Sequence, residues 1–104
     1  MSGGQKQRIC LARALYSNSD IYIIDDALSA LDAMVSSKIM KNMILEELIK
    51  KHKKTVILVT HKLEFLNFSD RVLLIGENTI LQNEKYELVR NTQDYRRFSE
   101  ILKE

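Results

Sequence analysis

This sequence predicts an α/β fold: a parallel sheet with flanking helices, followed by an antiparallel hairpin. Three observations carry that prediction. Ile21 to Ile24 and Thr55 to Thr60 are short, continuous runs of apolar and β-branched residues, the pattern of strands covered on both faces. A long segment of helical periodicity separates them, so strand, helix and strand form a βαβ crossover whose strands run parallel. Val72 to Ile75 and Thr79 to Leu81 flank Gly76-Glu77-Asn78, a turn cluster that marks an antiparallel hairpin.

The first element is a helix from Gln5 to Tyr16, which contains no Gly, Pro or Asn, starts at the pair Gly3-Gly4 and ends near Ser17-Asn18. It is apolar on most sides from Ile9 onward, so it is expected to be largely buried, with Cys10 a small buried hydrophobe. After the first strand comes a loop at Ala27-Leu28-Ser29, and Asp32 stands where an N-cap would open the long helix. In that helix Val35, Ile39 and Met43 form one apolar row, and Met40, Ile44 and Leu48 the next. Glu46 and Glu47 precede Lys50 and Lys51 by one turn, which supports the helix end. The basic run Lys50-Lys51-His52-Lys53-Lys54 reads as a solvated turn into the second strand. Two short helices are expected to follow the hairpin, near Lys85–Val89 and Asp94–Leu102.

At 104 residues the chain is expected to form one domain, 1–104, with a single core. A net charge of +2, spread along the chain, leaves no electrostatic footprint for nucleic acid. One cysteine allows no internal disulfide, in keeping with a reducing compartment. No run approaches the roughly 18 apolar residues that a bilayer span requires. Met1 leads directly into Ser2-Gly3-Gly4, so no signal peptide is expected, and a membrane role would need an anchor from elsewhere.

Three polar elements carry chemistry. A helix N-terminus has unpaired N–H groups and partial positive charge, and Gly3 and Gly4 would let an anion such as phosphate approach that backbone closely. Ser2 adds a hydroxyl donor. Asp25 and Asp26 end the first strand, and the carboxyl ends of parallel strands are where open α/β sheets bind ligands. A carboxylate there suits Mg²⁺, which prefers oxygen ligands and keeps several waters. His61 follows the second strand directly and makes a polar sensor beside those carboxylates, whereas His52 belongs to the basic turn.

Ser2-Gly3-Gly4-Gln5-Lys6-Gln7-Arg8, Ile21 to Asp26, Ser29-Ala30-Leu31-Asp32 and Thr60-His61 together resemble the C-terminal part of an ATP-binding cassette nucleotide-binding domain. In that family these stretches correspond to the signature (2–8), the Walker B strand (21–26), the D-loop (29–32) and the switch histidine (61). The resemblance implies a partial P-loop NTPase-like fold, with the N-terminal half missing because no GxxxxGK[ST] loop occurs. It implies ATP and Mg²⁺ as ligands, with Asp25 for the metal, Asp26 and His61 as catalytic residues, and Ser2, Gly3, Gly4, Gln5 and Asp32 in nucleotide binding. The signature would close over the γ-phosphate held by an opposing domain, so the implied partners are a second nucleotide-binding domain, arranged head to tail, and transmembrane domains. The implied location is the cytoplasmic face of a membrane.

Two departures refine the resemblance. Asp26 stands where active cassette ATPases usually carry Glu, and a carboxylate set back by roughly 1 Å can cost about a hundredfold in rate. That feature, with Thr60-His61-Lys62-Leu63-Glu64-Phe65-Leu66, is similar to the first nucleotide-binding domain of the C subfamily, the multidrug-resistance and sulfonylurea-receptor type. It implies a weakened hydrolytic site, and without the phosphate loop the chain alone is expected to be inactive. Asn83 occupies a position where the family often has Gly before a Glu-Leu pair (here Glu87-Leu88), so a left-handed turn is expected there. Two other readings remain open. One is a soluble cassette ATPase of DNA repair, chromosome or ribosome type, against which the lack of heptads and modest charge speak. The other is a nucleotide-sensing regulatory module.

Overall fold

The structure is a computed structural model that describes residues 3–26 and 28–103. The chain divides into two compact units, Met1–His61 and Lys62–Glu104, instead of forming one core. The division follows the strand pairing, because each unit holds its own two-stranded sheet.

In the first unit, helix α1 (Gly3–Tyr16) leads to β1 (Ile21–Asp25). The helix ends as expected, with Asn18 in left-handed backbone (φ 52°), a conformation that Asn tolerates at helix ends. α2 (Ala33–Lys38) then starts at Asp32, whose Oδ1 accepts from the Val35 N–H at 2.8 Å, and the cap falls where the sequence puts it. From Ile39 to Lys51 the helix widens to π-type, and the His52 N–H closes it on Glu47 O at 3.1 Å. No Gly or Pro in the segment signals that widening. The helix buries the row Met40, Ile44 and Leu48 together with Ser36. Lys50 pairs with Glu46 at 2.9 Å and Lys51 with Glu47 at 3.7 Å, as the spacing predicts.

β2 (Thr55–Val59) pairs with β1 in parallel, from Ile21 opposite Thr55 to Asp25 opposite Val59, which confirms the crossover. Coverage of both strand faces does not hold. Tyr22 and Ile24 are buried, but Ile21 is 60% and Ile23 71% exposed, and Ile57 and Val59 are exposed beside them. A single crossover helix can shield one face of a two-stranded sheet, and the alternation in β1 records that. α1 is also less buried than its composition suggests: Leu11 is its buried residue, Ile9 is exposed, and Cys10 is exposed and not a core residue.

In the second unit a 3₁₀ segment (Leu63–Phe68) buries Phe65 and precedes the hairpin of β3 (Val72–Gly76) and β4 (Thr79–Glu84). Glu77 and Asn78 form a two-residue turn with φ of 53° and 61°. Positive φ at both positions is the type I′ geometry, whose twist matches that of paired strands. The ladder shifts register after Leu74, and Leu81 is the extra residue on β4. A Cβ on Gly76 would lie 2.9 Å from Leu81 Cδ1, so glycine makes room for the bulge. Asn83 does not form a left-handed turn: it lies in β4 opposite Leu73, and its Oδ1 accepts from Arg71 Nε at 2.6 Å. Helices α3 (Tyr86–Val89) and α4 (Gln93–Lys103) close the unit on Val72, Leu74 and Val89, with Tyr86, Tyr95 and Phe98 packed around them. Among the described residues no helix is long and apolar enough to cross a membrane.

Candidate functional site

The carboxyl ends of β1 and β2 bring the acidic pair and the histidine segment to one edge. Asp25 is the last residue of β1, opposite Val59, and the Asp26 N–H donates to Val59 O at 2.8 Å. Thr60 and His61 continue directly from that strand end. Asp25 and His61 are exposed and Asp26 is half-buried. Among the described residues, the side chains of Asp25 and His61 hydrogen-bond neither to each other nor to Asp26. No group of three metal-ligating side chains occurs among the described residues either.

Asp26 has φ of 55°, in the left-handed region that non-glycine residues enter at a cost of roughly 1–2 kcal/mol. Its carbonyl closes the following turn, accepting from the Ser29 N–H at 3.3 Å and Ser29 Oγ at 2.9 Å. Gln7, one turn into α1, reaches the same loop. Its Nε2 lies 3.4 Å from both Asp26 O and Ser29 Oγ, and its Oε1 accepts from the Ala30 N–H at 3.2 Å. Leu28 and Leu31 anchor the loop in the core of the unit.

Gly3 and Gly4 form the start of α1, and neither has positive φ. A Cβ on Gly4 would meet Leu31 Cδ2 at 3.1 Å and Ala30 O at 3.3 Å, so the helix start lies tight against the loop. Glycine at that position therefore has a packing reason. Gln5 is exposed on the helix. Ser2, expected beside these glycines, and Met1 and Ala27 lie outside the described residues. Asp32, expected in nucleotide binding, caps α2: its carboxylate accepts from the Val35 N–H and holds the helix start.

The structure thus joins the α1 start, the loop from Asp26 to Leu31 and the strand ends. The bridge from Gln7 was not singled out in the sequence. Its signal was weak but present, because Gln7 stands at helical spacing from Gly3 and Gly4 and so shares their face of α1. A concavity of about 300 Å³ lies elsewhere, at the amino end of β1, between Asn18, Tyr22, Glu47, His52 and Lys54, and none of the candidate residues lines it.

A family model described as "ABC transporter" matches residues 1–29, from the start of α1 to the loop after β1. The chain is 49% identical over 87 residues to "ABC transporter C family member 5" of Arabidopsis thaliana, which covers 84% of this chain and 6% of that protein. It is 47% identical over 95 residues to "ABC transporter C family member 7" of Dictyostelium discoideum, covering 91% of this chain and 7% of that protein. With "ABC transporter C family member 6" of the same organism it shares 45% identity over 104 residues, or 99% of this chain and 7% of that protein. It therefore spans 6–7% of the length of these relatives.

A parallel βαβ unit with carboxylates at its strand ends, followed by a hairpin and helices, defines a segment of an ATP-binding cassette nucleotide-binding domain. The chain belongs to the ABC transporter C family.

Proposed function

We propose that this segment forms the acidic edge of an ATP-hydrolysing site in a C-family membrane transporter, and that its own site turns over slowly. The observation that supports this most is the meeting of Asp25, Asp26 and the His61 segment at the carboxyl ends of two parallel strands. Asp25 is a single exposed carboxylate, a donor that suits Mg²⁺ because this ion takes one or two carboxylates beside phosphate oxygens and water. When bound, Mg²⁺ would neutralise charge on the phosphates. Asp26 would accept a hydrogen bond from the attacking water and so orient it, and His61 would contact the same water and the terminal phosphate. The Asp26 carboxylate is one methylene shorter than the usual Glu, which is the reason for slow turnover.

Gly3, Gly4 and Gln5, with Ser2, would complete the site of an opposing domain, arranged head to tail. The exposed apolar face of Ile21, Ile23, Ile57 and Val59 would be covered by the rest of the cassette domain in a parent that carries transmembrane domains, with this segment on the cytoplasmic face. In the intact transporter, Asp25→Asn is expected to lower Mg²⁺-dependent ATP turnover at this site, read by site-resolved nucleotide trapping, by roughly a hundredfold, the scale of losing one preorganised electrostatic contact. Unchanged turnover in that variant would overturn the assignment.

A further inference from the structure

We propose that Gln7 is the positioning residue for Asp26, holding the loop that aims its carboxylate. The inference rests on the hydrolytic reading above, and it concerns a side chain that touches neither nucleotide nor metal in that reading. Asp26 is in left-handed backbone, so its conformation has to be held by its surroundings. β2 fixes the amide side, through Val59 O at 2.8 Å. On the carbonyl side Ser29 supplies a local turn, and Gln7 ties that turn to α1 by donating to Asp26 O and Ser29 Oγ and accepting from Ala30. One amide group thus uses both its donor and its acceptor on one loop, which a carboxylate or an ammonium in its place could not do.

The approach of Gly4 to Ala30 O and Leu31 is an independent sign that the helix start packs tightly against the loop. Without the bridge the loop keeps its Ser29 turn but loses its attachment to α1. The Asp26 carboxylate would then sample positions off line with the attacking water. A displacement of about 1 Å is enough to cost up to a hundredfold in rate, while the groups that bind nucleotide stay in place.

The test uses the intact transporter with Gln7→Leu, which removes both halves of the bridge, and Gln7→Glu, which keeps only the acceptor for Ala30. In Gln7→Leu the peptide containing Ala30 should exchange its amide hydrogens faster, and kcat for ATP at this site, read by site-resolved nucleotide trapping, should fall roughly ten- to a hundredfold with KM unchanged. Gln7→Glu should restore slow exchange at Ala30 yet leave kcat low, because Asp26 O still lacks its donor. A purely structural role would move protein yield or KM instead of kcat, and that result would overturn the proposal. Unchanged exchange at Ala30, or unchanged kcat with faster exchange, would also overturn it. Lack of Mg²⁺-dependent turnover in the unsubstituted protein would instead defeat the hydrolytic reading on which the proposal stands.

Discussion

The loop after β1 and the turn between β3 and β4 both place acidic residues in left-handed backbone, Asp26 at φ 55° and Glu77 at φ 53°, but different parts of the chain hold them there. At Glu77 the cause is local. A two-residue connection between antiparallel strands needs positive φ at both positions, and Asn78 at 61° completes the pair. At Asp26 the cause is distributed: an amide bonded to β2, a carbonyl bonded to Ser29, and a side chain from α1 beside it. Strain that a turn type explains says nothing about function. Strain fixed by three separate elements at a strand end is the kind that positions a reacting group.

The comparison presupposes that each region rests on a packed core of its own, and the largest expected effects test that. Ile44→Ala removes a side chain that is 1% exposed and should cost about 2–5 kcal/mol. Val89→Ala, at 0% exposure in the second unit, should cost about 1–3 kcal/mol. Denaturant titration of the chain reads both, and a loss below about 0.5 kcal/mol at either position, the level of an ordinary surface change, would mean that the packing around it is not as described.

A smaller effect sharpens the contrast directly. Glu77→Gly removes the left-handed penalty and should stabilise the chain by up to about 1 kcal/mol after the entropy cost of glycine. Asp26→Gly should gain less than that, because Asp tolerates this backbone better than Glu. In the intact transporter Asp26→Gly should also abolish turnover at this site, while Glu77→Gly should leave it unchanged. Equal gains in stability at the two positions would erase the distinction.

The smallest effect belongs to the second unit alone. Tyr95 lies edge-on to Tyr86, with ring centres 6.1 Å apart. Burial raises its pKa above the ordinary tyrosine value, the contact with Tyr86 adds to the rise, and Arg90 opposes it. Below about pH 10 the phenol is neutral in both folded and unfolded chains and stability is independent of it. As pH rises from there toward the folded value, the unfolded chain releases its proton first, so stability falls. Tyr95→Phe should flatten that decline in thermal unfolding measured across the alkaline range, and an unchanged decline would assign it to another group.

Much of this was legible in the sequence because it depends on local chemistry. The Asp32 cap, the parallel crossover, the hairpin about Glu77 and Asn78, and the Glu46–Lys50 pair all follow from residues within a turn or from strand periodicity. What failed depends on neighbours that spacing does not reveal. Ile21 and Ile23 have the composition of a doubly covered strand, yet one crossover covers one face. Cys10 sits among apolar residues and is nonetheless exposed, because α1 buries a narrower stripe than its composition suggests. Asn83 can adopt left-handed backbone, but ladder pairing with Leu73 and the Arg71 contact keep it extended. The position of Asp25, Asp26 and His61 at the ends of two parallel strands was readable from strand periodicity, whereas the left-handed Asp26 and its Gln7 bridge arise from contacts between residues far apart in the chain.

The most direct measurement is site-resolved nucleotide trapping in the intact transporter carrying Asp26→Glu. The added methylene returns the carboxylate by roughly 1 Å toward the water, so faster turnover is predicted at the site this segment lines, with no change at the opposing one. Unchanged or slower turnover at that site would contradict the account, because Asp26 would then not be the short carboxylate that limits it.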